Sequence, residues 1–262
     1  MIYIQRSLHT FFDLKKSLLP QFMALKGETF RAHKNRLTQR ILLGKNYYFI
    51  KQHQKIRLKE FFKNILQGRI PITSARNEWQ AIQKLQALGL ATPRIIAFGE
   101  KGLTPLTRTS FVMMEALNNT LSLETFCAAW PTHPPAFLTK LKLIKSVALI
   151  ARCLHEHGIN HRDFYLCHFL LRPESLQSDA VQLYLIDLHR AGIRRKIPRR
   201  WLIKDLAGLY FSSKSIGLTQ KDLFRFVKYY RQKTLREILF SDQKLFQQVI
   251  MRGERLYADH QT

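Results

Sequence analysis

Short runs of alternating apolar and polar positions fill residues 28–53. Thr38-Gln39-Arg40-Ile41-Leu42-Leu43 leads into the turn signal Gly44-Lys45-Asn46, and Tyr47-Tyr48-Phe49-Ile50-Lys51 follows. This pattern predicts paired strands. After Arg69-Ile70-Pro71, Thr73 or Ser74 can cap a helix on which Trp79, Ile82, Leu85 and Leu88 recur every three residues. That spacing makes one buried face, and Gly89 is a suitable stop. Residues 94–98 and 110–114 are further strand candidates. The period then changes. Residues 140–157 form a long amphipathic helical pattern ending at Gly158, a hairpin is predicted over 168–171 and 181–188, and residues 201–262 read as several helices. Strands first and helices later predict an α+β chain with two lobes around a cleft. The expected N-lobe covers 1–115 and the C-lobe 116–262, with the joint at 115–119.

Residues 1–26 mix Leu8, Phe11, Phe12, Leu14, Leu18, Leu19 and Phe22 with Arg6, Lys15 and Lys16. An amphipathic segment of this kind either lies on a membrane or packs on its own domain, and packing is the commoner outcome. Composition sharpens the choice of partner. Lys+Arg 43 against Asp+Glu 18 leaves a net charge of +25. So much positive charge implies anionic surroundings: a membrane face, a phosphorylated substrate, nucleic acid or an acidic protein. RNA-binding signatures such as RNP1 or GXXG are absent, so nucleic acid is not expected. The 46% hydrophobic share excludes a chain disordered throughout. Cys127, Cys153 and Cys167 form no CxxC, which fits free thiols in a reducing compartment. The stretch 141–154 is broken by Lys142, Lys145 and Arg152 and is too short to span a bilayer. No signal peptide is apparent, and a cytoplasmic, peripheral protein is expected.

The chemistry concentrates in Leu154-His155-Glu156-His157-Gly158-Ile159-Asn160-His161-Arg162-Asp163. A helix ends at Gly158, and a short loop then presents His161-Arg162-Asp163. Further on, the apolar strand Leu183-Tyr184-Leu185-Ile186 ends in Asp187. Phosphoryl transfer needs two such carboxylates, one at the acceptor hydroxyl and one on a divalent metal that bridges nucleotide phosphates. Upstream, Lys51 is placed to reach the α and β phosphates, and Glu78 on the following helix is placed to pair with it. Each residue alone has a bland reading: an exposed lysine, a solvated glutamate, a turn-capping aspartate. Their order (strand Lys, helix Glu, loop HRD, strand Asp) is that of the protein-kinase-like fold. A zinc reading of the histidines fails on HExxH, since Ile159 stands where the second His belongs.

At these residues the chain resembles the lipopolysaccharide core heptose(I) kinases. The similar stretches are Leu25-Lys26-Gly27-Glu28-Thr29-Phe30-Arg31, Lys63-Asn64-Ile65-Leu66, Arg69-Ile70-Pro71, Ala75-Arg76-Asn77-Glu78-Trp79 and His161-Arg162-Asp163-Phe164-Tyr165-Leu166-Cys167-His168-Phe169-Leu170-Leu171. The resemblance implies ATP- and Mg2+-dependent phosphorylation of a heptose hydroxyl in the lipopolysaccharide inner core, at the inner face of the bacterial inner membrane. By position it makes Asp163 the catalytic residue, Asp187 the metal ligand, Lys51 the phosphate lysine and Glu78 its partner. Residues Glu115 to Leu117 become the hinge that meets adenine. The family also points to acyl carrier protein, which is strongly acidic, as a partner.

The chain departs from ordinary protein kinases in several places. No GxGxxG precedes Lys51, and the loop holds only Gly27 and then Lys34-Asn35-Arg36. His168 stands where a metal-binding Asn is usual; it either binds metal, for which imidazole suits Mg2+ poorly, or hydrogen-bonds the loop or a phosphate. Asp187-Leu188-His189 replaces DFG, and no APE element follows, which argues against a peptide substrate. The basic run of Arg190, Arg194, Arg195, Lys196, Arg199, Arg200 and Lys204 is either a solvated face or the acceptor-binding surface, with Arg190, Arg194, Arg195, Arg199 and Arg200 the expected contacts. Arginine suits phosphates and carboxylates through paired donors. Two other readings compete with the sugar kinase: a phosphotransferase for another small-molecule or protein acceptor, and a non-catalytic kinase-like module that binds an acidic partner. Cationic drug acceptors need acidic pockets, which +25 disfavours, and the intact Lys51, Glu78, Asp163 and Asp187 set disfavours the module.

Overall fold

The computed structural model describes residues 1–33, 35–56, 58, 74–178 and 180–261. The stretches Lys63-Asn64-Ile65-Leu66 and Arg69-Ile70-Pro71, the cap candidate Thr73 and Lys34 lie outside the described residues. The chain divides into two compact units. One holds residues 1–84 and 93–118, and the other holds 85–92 and 119–262.

The first unit is built on a six-stranded antiparallel sheet of β1 (Ile2–Ile4), β2 (Glu28–His33), β3 (Arg36–Leu43), β4 (Asn46–His53), β5 (Ile95–Lys101) and β6 (Thr109–Glu115), in the order β1-β5-β6-β4-β3-β2. β3 and β4 meet at Gly44, whose φ of 64° is the left-handed turn conformation that glycine adopts without strain. The helix predicted after the Pro71 region is present as Arg76–Ala87, following the short α1 (Leu18–Met23), and is labelled α2. Its Trp79 stacks on Phe98 at 4.5 Å between ring centroids. β1 has no counterpart in the sequence pattern; Ile2 pairs with Gly99 and Ile4 with Ala97. Most apolar residues of the amphipathic segment pack inward, while Phe11 and Leu14 stay exposed. Leu8, Phe12, Leu19 and Phe22 join Ile41, Ile50 and Phe111 in one buried cluster, and Phe22 stacks between Phe12 and Phe111.

The second unit is mostly helical. It contains β7 (Leu121–Ser122), α3 (Leu123–Cys127), α4 (Phe137–Glu156), β8 (Ile159–Asn160), β9 (Phe169–Leu171), β10 (Leu183–Leu185) and β11 (Gly192–Ile193). Four helices follow: α5 (Arg199–Ser213), α6 (Gln220–Arg231), α7 (Leu235–Ser241) and α8 (Gln243–Gln261). β9 and β10 form the predicted hairpin, and β8 pairs with β11. Gly158, at φ 71°, ends α4 where the chain passes against the Arg194 carbonyl; a Cβ there would lie 1.9 Å from that oxygen. Glycine alone fits this approach.

Candidate active site

In the first unit, strand alternation sets the position of Lys51. Ile50 and Gln52 turn inward on β4, and Lys51 takes the opposite face. Its Nζ is 2.6 Å from Oε1 of Glu78, which is 1% exposed in the first turn of α2. The other Glu78 oxygen, Oε2, is buried and has no hydrogen-bond partner among the described residues. A charge held this way is costly to strand, so the two side chains depend on each other. The start of α2 is tied down separately: Ser74 and Arg76 both bond the buried Glu100 carboxylate. Gly27 allows close packing at the start of β2, where a Cβ would meet the Arg40 carbonyl at 2.2 Å. At the predicted hinge, Glu115 ends β6 and pairs with Arg94. Its backbone N–H donates to the Arg94 carbonyl, and that of Ala116 donates to Tyr47, so both N–H groups serve the sheet. Leu117 follows as a half-buried residue.

In the second unit, the HRD loop is held from beneath. Asp205 on α5 is 1% exposed and accepts the backbone N–H of His161 at 2.6 Å and of Arg162 at 2.8 Å. The His161 ring is fully buried, and burial lowers its pKa below the ordinary histidine value. The neutral ring donates Nε2–H to the Ile186 carbonyl at 2.9 Å. The loop is thereby joined to the residue preceding Asp187. Arg162 has φ 73° and stacks its guanidinium on Trp201 at 4.5 Å. Asp187 has φ 61° and ψ 47°. Left-handed backbone at two non-glycine residues stores strain of the kind found at functional sites.

The carboxylates are not idle. Oδ1 of Asp187 accepts from Nδ1 of His189 at 2.7 Å, and Oδ2 lies 3.6 Å from Nε2 of His168. His168 donates Nδ1–H to the Asp163 carbonyl at 2.6 Å and stacks on His161. Of its two expected roles, this bond is the loop-holding one. Asp163 itself meets Arg190, whose Nη1 lies 2.8 and 3.1 Å from its two carboxylate oxygens.

The basic run is spread over different environments. Arg190 pairs with Asp163 while its side chain stays partly open to solvent. Arg194 donates to the buried Asn160 side chain at 2.6 Å. Arg199 bonds Gln248, and Arg200 lies over Trp201 at 5.2 Å. Arg195 and Lys196 are exposed. Lys204, by contrast, is half-buried; burial and then Arg190 lower its pKa, against the pull of Asp163 and Asp205. Arg162 is lowered in the same way by burial, Arg194 and Arg190. Cations therefore gather near Asp163 and Asp205.

Comparison with known proteins decides the family. Residues 20–230 match the lipopolysaccharide kinase (Kdo/WaaP) family. The chain belongs to that family. It is 48% identical to the lipopolysaccharide core heptose(I) kinase WaaP of Escherichia coli K12, over 92% of this chain and 91% of that protein. It is 41% identical to the protein of the same name in Pseudomonas aeruginosa, over 91% and 89%. Among solved structures, WaaP in complex with acyl carrier protein superposes with a TM-score of 0.84 at 35% identity, covering 98% of this chain and 99% of that one. The α+β, protein-kinase-like fold expected from the motif order is the fold found.

Phosphoryl transfer from a nucleotide commonly uses a divalent ion, and the donors around Asp187 can be compared with what such an ion takes. Asp187 offers the hard oxygen donor that Mg2+ prefers, and Mg2+ takes few protein ligands because phosphates and waters complete its shell. His168 donates Nδ1–H to the Asp163 carbonyl, and its Nε2 lies 3.6 Å from Oδ2 of Asp187. The pair fits an ion held chiefly by Asp187 and phosphate. Sequence reasoning did not find Asn160, His189 or the loop-to-Ile186 bond, since each acts through a partner distant in sequence or through the backbone.

Proposed function

We propose that this chain is an ATP-dependent lipopolysaccharide core heptose(I) kinase acting on a heptose hydroxyl of the inner core. The observation that carries the reading is that relatives 41–48% identical over nine tenths of the chain all bear this name. The site supports it residue by residue. Lys51, fixed by Glu78, neutralises nucleotide phosphates. The hinge at 115–117 meets the base. Asp163 orients the acceptor hydroxyl and takes its proton. Asp187, with His168 beside it, holds Mg2+, which when bound offsets the negative charge of the phosphates. Basic side chains substitute in this reading for the glycine-rich loop that the sequence lacks. Arg195 and Arg200, with Arg190 nearer the carboxylate, face the anionic acceptor. In this reading the first unit binds nucleotide and the second carries catalysis.

Acyl carrier protein is the proposed protein partner. The related WaaP was solved in complex with it, and an acidic carrier complements a chain of +25. The second unit also contains an apolar cavity of about 330 Å³, lined by Trp130, Leu143, Val147, Leu209, Phe226 and Ile238 among others, whose chemistry suits an aliphatic chain. Among the described residues no helix is long and apolar enough to cross a membrane. We place the enzyme on the cytoplasmic face of the inner membrane, held by charge against anionic lipid.

The test is incubation with labelled ATP and purified core lacking phosphate. Label in the core carbohydrate is the expected result. Label confined to the protein itself would overturn the acceptor assignment.

A further inference from the structure

Asp163 is engaged by Arg190. One nitrogen of Arg190 spans both of its carboxylate oxygens, at 2.8 and 3.1 Å. A carboxylate with both oxygens engaged in this way has less lone-pair capacity left to meet an acceptor hydroxyl. The arginine is the reachable partner: its side chain is 42% exposed and that of Asp163 only 18%. Among the described residues only Nη1 of Arg190 is bonded, so Nε and Nη2 still have hydrogens to donate. Arg162 and Lys204 also lie near Arg190: burial first, then Arg194 and Arg190 for Arg162 and Arg190 for Lys204, lower their pKa values, so several cations share this region. An incoming anion is therefore attracted, and it competes with Asp163 for the same guanidinium. Arg190 also sits at the end of the single helical turn that begins at Leu188, directly after Asp187.

We propose that Arg190 is a latch on Asp163, released when an anionic group of the acceptor, a carboxylate or a phosphate, takes the guanidinium. This rests on the reading of Asp163 as the group that receives the acceptor proton. In the productive step the bond from the γ-phosphorus to the ADP oxygen breaks. A bond to the acceptor oxygen forms, and the hydroxyl proton passes to Asp163. Water in place of the acceptor gives ADP and inorganic phosphate by the same chemistry. The latch withholds the base from water until a charged acceptor is seated. Arg190 is thus a positioning residue that couples catalysis to acceptor charge, and it makes an anion close to the target hydroxyl a requirement of the substrate.

The experiment compares the full chain with Arg190→Gln and Arg190→Lys. ADP release is measured without acceptor, and transfer is measured with purified core. Acceptor-free ATP hydrolysis should rise about tenfold in Arg190→Gln, the order expected for losing one charge-assisted bond. Transfer should fall, with a higher KM for core. Arg190→Lys keeps the charge without the fork and should lie between. Unchanged or lower acceptor-free hydrolysis in a folded Arg190→Gln, or in Arg190→Lys if the first melts, overturns the latch. A hydrolysis gain in a protein that labels no core would retain the latch and reject the acceptor assignment instead. Two substrates identify the releasing anion: dephosphorylated core, and core with its carboxylates reduced to alcohols. Wild type should fall below Arg190→Gln on the substrate that lacks the anion, because only the wild type is still latched there. Equal advantage over the variant on both would overturn release by acceptor charge.

Discussion

The His161 ring reaches the main chain of Ile186 at 2.9 Å, and through that bond the HRD loop and the Asp187 turn form one assembly. Its backbone is held by Asp205 at the same time. One buried imidazole and one buried carboxylate thus set the spacing of two carboxylates far apart in sequence.

Removing the lower support should disorganise the loop. Asp205→Ala leaves the His161 and Arg162 N–H groups buried without acceptors. The expected cost is on the order of 3 kcal/mol from stranded donors, with transfer reduced more than tenfold. Asp205→Asn keeps one accepting oxygen and should lose less of both. Urea unfolding and initial-rate assays check this; equal stability of Asp205→Ala and wild type would show that the contact carries no load.

Lys51 and Glu78 should behave as one unit. Lys51→Met strands a buried carboxylate, and Glu78→Gln removes the carboxylate charge 2.6 Å from the ammonium. Each change should lower kcat, and the double variant should lose less than the product of the two losses. Independent effects in the double-mutant cycle would show that the 2.6 Å pair does not act jointly.

Acid should weaken the second unit at a site remote from the chemistry. Asp222, 1% exposed, is pushed up by burial, but the Thr219 backbone and hydroxyl together with Lys140 outweigh this and bring it down from 3.8 to about 2. Arg225 adds a contact at 2.7 Å. A carboxylate with a depressed folded pKa stabilises above its unfolded pKa and loses that contribution as pH falls through the folded value. The stability gap between wild type and Asp222→Asn should therefore be full above about pH 4 and shrink toward pH 2. Thermal melts across that window measure it, and a gap independent of pH would reject the assignment.

Neighbouring arginines in the basic run should separate. Arg194→Gln breaks the bond to the buried Asn160 and should lower stability by about 1–3 kcal/mol. Arg195→Gln, at an exposed position, should leave the melting temperature unchanged. Its effect belongs to the acceptor: combined with Arg200→Gln it should raise the KM for core and leave the KM for ATP unaltered. The difference should fade near 1 M salt, where the Debye length is about 3 Å. A melting temperature lowered equally by both single changes would mean that burial does not distinguish them.

Much of this protein is written locally. Period-two alternation places β3 and β4, and a three-residue recurrence places α2, because backbone geometry alone sets which side chains share a face. Glycines at the end of α4 and between β3 and β4 are readable because only they take a positive φ freely. The order of Lys51, Glu78, Asp163 and Asp187 is likewise visible in one dimension. The first strand was not: Ile2–Ile4 is too short to carry a pattern and exists because β5 offers an edge to pair with. The chain also reveals that seven cations follow Asp187, without showing that Arg190 turns to Asp163 and Arg194 to Asn160 while Arg195 stays in solvent. Those partners are chosen by the need to satisfy buried polar groups across long separations. That need arises only once helices and strands have packed, and only the tertiary structure decides it.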